Sequence, residues 1–259
     1  MNVLPLRIWL RVAVVAVIGA ATVQAEDFAV ESRVYLGNGD RPISESLTVF
    51  VAEKAYDFLN DPAEITIVDA PAKRVRLLNP GKRTQTEIDF ATLGMFTERL
   101  RQRLADHENR DFRFFARPEF AITHDAASGM FEFASPRLTY RVQAFRAAPA
   151  QAGLYWRTSD WLCRLNLLLH PGAPNPLARL EVNATMAGQG FLPRTVDLNP
   201  APRNLIDWLP QRRAVIRSDH VWHEPPTPEM LRRTIEADRA AQEFRRLPLS
   251  DYLGKGEGR

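Results

Sequence analysis

The chain has 259 residues, with 34 Lys+Arg against 31 Asp+Glu, a formal net charge of +3, 45% hydrophobic and 25% charged residues, and a single Cys. That composition excludes a disordered chain, a collagen and a disulfide-stapled miniprotein. Two of the surplus positive charges, Arg7 and Arg11, sit in the first 25 residues, so the remainder is close to balanced and carries no nucleic-acid footprint.

Residues 1–25 read as a secretory signal peptide. Arg7 and Arg11 make the charged start, Val12 to Ala21 the apolar core, and Val23-Gln24-Ala25 the small-x-small cleavage site. The uncharged run is about half of the ~20 residues that span a bilayer, so cleavage is expected rather than a retained anchor. The expected protein is therefore exported to the periplasm or the medium, with no integral membrane span after cleavage. No Cys follows the apolar core, which excludes lipidation at a mature N-terminal Cys. Cys163, in the apolar run Trp161-Leu162-Cys163-Arg164-Leu165, reads as a small buried hydrophobe and not as a nucleophile.

The mature chain, residues 26–253, reads as one α+β domain, with 254–259 as a flexible tail. Six strand-like runs come first: Phe28–Tyr35, Leu47–Val51, Ala55–Leu59, Glu64–Asp69, Arg74–Leu78 and Arg83–Ile88. Turn chemistry separates them (Gly37-Asn38-Gly39-Asp40, Glu53-Lys54, Asn60-Asp61-Pro62-Ala63, Ala70-Pro71-Ala72-Lys73, Asn79-Pro80-Gly81-Lys82). Short runs joined by short turns make an antiparallel meander, because parallel crossovers have no room. Asp89 then caps a helix to about His107, with Phe90, Leu93, Phe96, Leu100 and Leu104 on one stripe.

Strands are expected again at Asp111–Arg117, Glu119–Thr123, Met130–Ala134 and Leu138–Ala144. Ala147–Gly153 reads as a linker. Thr158 or Ser159 caps a buried helix over Asp160–His170. Asn175 caps a second helix with Pro176 in its first turn, ended by Gly188 or Gly190. Phe191–Leu198 and Arg213–Trp222 read as strands either side of a Pro-containing loop, Asn199–Pro210. Thr227 starts a last helix running to about Arg245. The fold class expected is α+β: a curved antiparallel sheet, an open or incomplete barrel, covered by three to four helices.

No phosphate loop, no Gly-x-Ser-x-Gly and no His-Glu-x-x-His is present. The one His cluster, Asp219-His220-Val221-Trp222-His223-Glu224, lies on a strand. Residues three apart on a strand point to opposite faces, so no metal site and no cofactor are expected. Asn183-Ala184-Thr185 matches a glycosylation triplet, but inside a helix it reads as chance. No catalytic residue stands out. Several strands are apolar on both faces, and a concave apolar face is a natural site for a greasy ligand. Val49, Val51, Tyr56, Phe58, Ile65 and Ile67 are the candidate ligand-binding residues.

The runs Thr48-Val49-Phe50-Val51, Ala55-Tyr56-Asp57-Phe58, Glu64 to Asp69, Arg74 to Pro80 and Thr84 to Ile88 resemble the periplasmic lipoprotein carriers of the LolA/LolB-like superfamily. The resemblance covers residues 28–145. It implies an unclosed barrel with helices as a lid over a cavity for lipid or acyl chains, and a lipid or lipoprotein as partner. Three readings follow: an exported non-enzymatic protein binding a lipid, acyl chain or apolar partner; an envelope structural or adaptor protein with no ligand; and an exported hydrolase whose site forms only in the fold. An open apolar concavity favours the first, a filled sheet face the second, and a cleft gathering His220 or several carboxylates the third.

Overall fold

The computed structural model describes residues 26–170, 175–200 and 215–254. The expected signal segment, most of the loop after Asn199, the start of the strand expected at Arg213 and the tail beyond Gly254 lie outside these residues.

The meander forms where the sequence places it: β1 (Phe28–Leu36), β2 (Ser44–Val51), β3 (Lys54–Leu59), β4 (Glu64–Asp69), β5 (Arg74–Asn79) and β6 (Thr84–Asp89). Two of its turns repeat one device ten residues apart. Asp69 Oδ1 accepts from the Ala72 amide at 3.1 Å, and Asn79 Oδ1 from the Lys82 amide at 2.9 Å. Each turn then closes with a left-handed residue, Lys73 at φ 52° and Arg83 at φ 50°. The β2–β3 turn puts both Ala52 (φ 48°) and Glu53 (φ 63°) in the left-handed region, as a tight two-residue hairpin requires. Non-glycine residues there cost roughly 1–2 kcal/mol each, which the flanking register must offset.

Asp89 caps α1 (Phe90–Ala105), its Oδ1 accepting from the Thr92 amide at 2.6 Å. The next segment corrects the sequence reading. Asp111–Arg117 is not a strand but most of a short helix, α2 (Arg110–Ala116). Asn109 caps it through the Asp111 amide at 2.8 Å, and Arg113 Nη1 donates to the carbonyls of His107 and Glu108. The alternation of Phe112 and Phe114 suggested a strand, and the cap with an acid in the first turn outweighs it.

Strands β7 (Ala121–Asp125), β8 (Met130–Ala134) and β9 (Leu138–Arg146) follow. Gly129, at φ +71°, is required in the β7–β8 turn, since a Cβ would meet the Ala144 carbonyl oxygen at 2.6 Å. The expected linker Ala147–Gly153 is also corrected. A single 21-residue helix, α3 (Pro149–Leu169), starts within it and absorbs the shorter helix expected from Asp160. Pro149 stands in its first turn, where a missing N–H costs nothing. Then come α4 (Asn175–Gln189), β10 (Phe191–Pro200), β11 (Ile216–His223), α5 (Pro228–Glu243), β12 (Arg245–Arg246) and α6 (Leu249–Tyr252). Thr227 caps α5 through the Met230 amide.

Among the described residues twelve strands form one curved, unclosed sheet in the order β12-β6-β5-β4-β3-β2-β1-β11-β10-β9-β8-β7. Of these strands only β12, parallel to β6, breaks the antiparallel pattern. The class is α+β as expected, with six helices among the described residues where three to four were expected. β1 holds the centre, joining the meander through β2 to the later strands through β11.

The two faces of the sheet carry different cores. Phe28, Val30, Phe50, Val68, Leu77, Phe131, Tyr140 and Val142 pack against α1, α2, α3 and α4 in the larger core. Trp156 is its largest buried side chain, and its indole N–H donates to the Phe191 carbonyl at 2.7 Å. Ala29, Leu47, Val49, Tyr56, Phe58, Ile67 and Leu78 pack against α5 in the smaller one.

Candidate functional site

The six sequence-identified residues share one face. Val49 pairs with Tyr56, Tyr56 with Ile67, and Phe58 with Ile65, so their side chains project together. That face is the one beneath α5. Val49 is 0%, Tyr56 3%, Phe58 4% and Ile67 1% exposed, while Val51 and Ile65 are half-buried. The helix lies close because its inner side is small, with Ala237 and Ala241 between Met230 and the following Phe244. Polar contacts hold it. The Tyr56 hydroxyl donates to Asp238 Oδ2 at 3.0 Å, and Lys54 Nζ lies 3.9 Å from Asp238. Gln85 Nε2 donates to the carbonyls of Ala241 at 2.9 Å and Phe244 at 2.7 Å. Burial, then the nearby Asp238 carboxylate, raises the Tyr56 phenol above its ordinary range. At its edge this face keeps a cavity of about 340 Å³, floored by Phe58, Ile65, Pro80, Ala237, Ala240 and Phe244 and rimmed by Glu64, Arg233 and Glu236.

The four-helix face is filled only along part of its length. On β1 the inward residues run Phe28, Val30, Ser32, Val34, Leu36, by the strand period. The first two are buried and the last three half-buried. On β11 Trp222, His220, Ser218 and Ile216 are all half-buried, and β10 runs from buried Val196 to half-buried Leu198. At this end Val34, Leu36, Ile216 and Leu198 thus form a contiguous, half-buried apolar row on the sheet. The second half of α3 carries half-buried Trp161, Leu162, Leu168 and Leu169, and Trp161 stacks on Phe90 at 3.7 Å.

A line of polar side chains crosses the sheet beside this apolar row. His220 pairs with Ser32, and Ser32 with Ser46 on the next strand. Ser32 Oγ lies 3.0 Å from His220 Nδ1, and Ser218 Oγ 3.1 Å from Nε2. One row deeper, Thr48 donates to Asp57 Oδ1 at 2.7 Å. Burial raises the Asp57 carboxyl. The helices add a second polar group. Asn183, fully buried, donates to Ser159 Oγ at 3.0 Å and Asp160 Oδ1 at 2.8 Å, and accepts from Arg179 Nε at 2.9 Å. Asn183 is thus a structural bond-maker, which explains why the glycosylation triplet lies where no glycan fits. The Arg179 guanidinium stands 5.9 Å from the Tyr140 ring and 5.6 Å from the Trp156 ring.

Electrostatics join the two groups. Burial holds His220 down at about 3, and the Arg179 charge adds to it. Burial also pushes Tyr155 up to about 12 and Cys163 up to about 11, with Arg179 opposing both shifts. The Arg179 charge therefore acts on the imidazole, the phenols of Tyr140 and Tyr155, and the thiol. The Ser–His contacts are not a hydrolytic dyad of the usual kind. Asp219 projects to the other face, 3.3 Å from Arg217, so it does not orient the ring. An imidazole so hard to protonate is also a poor general base. His223 points away from His220, with Nε2 3.1 Å from Glu31 Oε1. Among the described residues no group of three His, Cys, Asp or Glu side chains is placed to hold a metal ion, and no helix is long and apolar enough to cross a membrane.

Sequence reasoning did not bring Ser32, Ser218 and His220 together as a group. Ser32 and His220 are 188 positions apart, and no local pattern links them. The only available signal was the Ser and His at inward positions of otherwise apolar strands.

No protein-family model matches the chain, and no curated protein matches it. Fifteen chains of solved structures match. One is the crystal structure of a LolA-superfamily protein from Nitrosomonas europaea, 6% identical, with a TM-score of 0.25 over 80% of this chain and 89% of that one. The likeness is too loose to bear on function.

Proposed function

We propose that the protein is an exported, non-enzymatic binding protein for a lipid, acyl chain or other apolar partner. The observation that carries this reading is the contiguous half-buried apolar row Val34, Leu36, Ile216 and Leu198 along the β1–β11–β10 strands. Contiguous apolar surface that stays partly exposed is what an apolar partner covers. The cavity under α5 beside Phe58 and Ile65 is a second position for a chain end, with Val49, Val51, Tyr56 and Ile67 as its backing. Export rests on the signal-like residues 1–25.

A second reading, an envelope structural or adaptor protein with no ligand, is favoured by the α5 face, where Val49, Tyr56 and Ile67 are already covered. One experiment separates the two. The full chain is expressed with its leader, purified gently from the envelope fraction, and measured by native mass spectrometry beside a solvent extract. A discrete co-purifying lipid-like mass is expected. A folded protein with a clean apo mass overturns the binding reading in favour of the adaptor. The same spectrum gives the N-terminus, expected at Glu26.

A further inference from the structure

The cavity at the edge of the α5 face has an apolar floor and a cation on its rim. Arg233 lines it, half-buried, with its guanidinium 4.3 Å from the centroid of the Phe58 ring. Stacking on a ring face fixes the plane of that group and uses none of its five N–H donors. Its neighbours are spoken for. Arg232 pairs with Glu236, and Arg83, over the Phe244 ring at 5.2 Å, pairs with Glu243 at 3.3 Å. Among the described residues Arg233 itself forms no ion pair. The other rim carboxylate, Glu64, accepts from the Tyr252 hydroxyl at 2.9 Å.

The floor sets the length of a ligand. From Ala237 to Phe244 the chain rises about 10 Å, and Arg233 stands about one helical turn before Ala237. A planar cation with free donors at one end of such a floor matches a chain of medium length with an anionic head. The rim also limits the charge. Glu64 and Glu236 stand beside Arg233, so a head with one negative charge meets less repulsion there than a head with two.

We infer that the α5 cavity is a site for a medium-length alkyl chain ending in a single carboxylate, and that Arg233 selects the head. This rests on the chain-binding reading above and adds the class of ligand at its second position. The tail lies along Ala237, Ala240 and Ile65 towards Phe244, and the carboxylate meets the guanidinium in the planar fork.

The test uses the exported, purified protein and three probes with one tail, octanoic acid, octyl phosphate and octan-1-ol, titrated by calorimetry at pH 8. Octanoate is expected to bind about tenfold more tightly than the alcohol, and more tightly than the doubly charged phosphate. Arg233→Met keeps an apolar stem over Phe58 and is expected to bring octanoate down to the alcohol's affinity. If that variant does not fold, Arg233→Lys, which keeps the charge without the fork, is expected to cut the advantage about threefold. Ala240→Leu fills the floor and is expected to weaken octanoate and the alcohol alike. Equal binding of acid and alcohol, an advantage untouched by the Arg233 variants, or tighter binding of the phosphate overturns the carboxylate site. Binding untouched by Ala240→Leu places the chain elsewhere. Each of these results leaves chain binding intact, whereas binding of none of the three probes, with no co-purifying lipid, overturns both.

Discussion

The two faces of one sheet have been finished differently. Beneath α5 the cover is a single amphipathic helix laid down through alanines, and the middle of the strands under it is closed: Val49 is fully buried opposite Tyr56, and Tyr56 opposite Ile67. On the opposite face four helices build a much larger core, yet it stops short. From Ser32 on β1 and His220 on β11 outward, the inward residues are half-buried, and the boundary is drawn in polar side chains. More helix does not mean more closure. The 16 residues of α5, laid down through alanines, cover most of a stretch of meander and leave a cavity only at its edge, whereas the four helices opposite leave the row Val34, Leu36, Ile216 and Leu198 half-buried.

The largest expected effect tests the covered face. Val49→Arg places a charge where no water reaches, and should destabilise the fold by about 3–5 kcal/mol, read as a lower urea midpoint. A variant with an unshifted midpoint means that α5 swings away and this face opens, which would bring Val49, Val51, Tyr56, Phe58, Ile65 and Ile67 back as a ligand surface.

A smaller effect, on the other face, is a pH dependence. Free histidine titrates near 6.5, and His220 is held down at about 3 in the fold, by burial first and then by Arg179. The unfolded chain therefore takes up this proton first. The stability linked to His220 is complete above pH ~6.5 and is lost as pH falls through that value towards 3. Urea midpoints at pH 7 and pH 5 should separate more for the unaltered protein than for His220→Gln, which keeps two polar atoms near Ser32 and Ser218. Equal separation means that the ring is more hydrated than the polar line implies.

The smallest effect refines the α5 cover. Tyr56→Phe removes the hydroxyl that donates to Asp238 at 3.0 Å and should cost about 1–2 kcal/mol. Hydrogen exchange in α5 should rise more than in α1, since α1 belongs to the other core. Uniform acceleration across both helices means that α5 is not a separately opening unit.

Much of this was legible in the chain. The turn residues Asp69 to Lys73 and Asn79 to Arg83 announce their hairpins because side-chain bonds to the local backbone need no distant partner. Asp89 and Thr227 announce α1 and α5 for the same reason. The strand period placed the six apolar candidates on one face and His220 and His223 on opposite faces, since both follow from alternation alone. Where the reading failed, two local signals competed. At Asp111–Arg117 a strand was expected where the Asn109 cap starts α2, and at Pro149 a run of Ala and Pro looked like a linker although proline in a first turn starts a helix.

The sequence by itself determined the class, the meander and the side of each strand on which a residue lies, because those rest on period, turn chemistry and composition. Only the tertiary structure decided which helix covers which side. It sent α5 to the candidate face, covered most of that face, and on the opposite one brought together Ser32 and His220, 188 residues apart. The physical reason is that coverage depends on the separation and curvature of packed layers, a property of pairs of elements distant in sequence, which no local pattern of residues encodes.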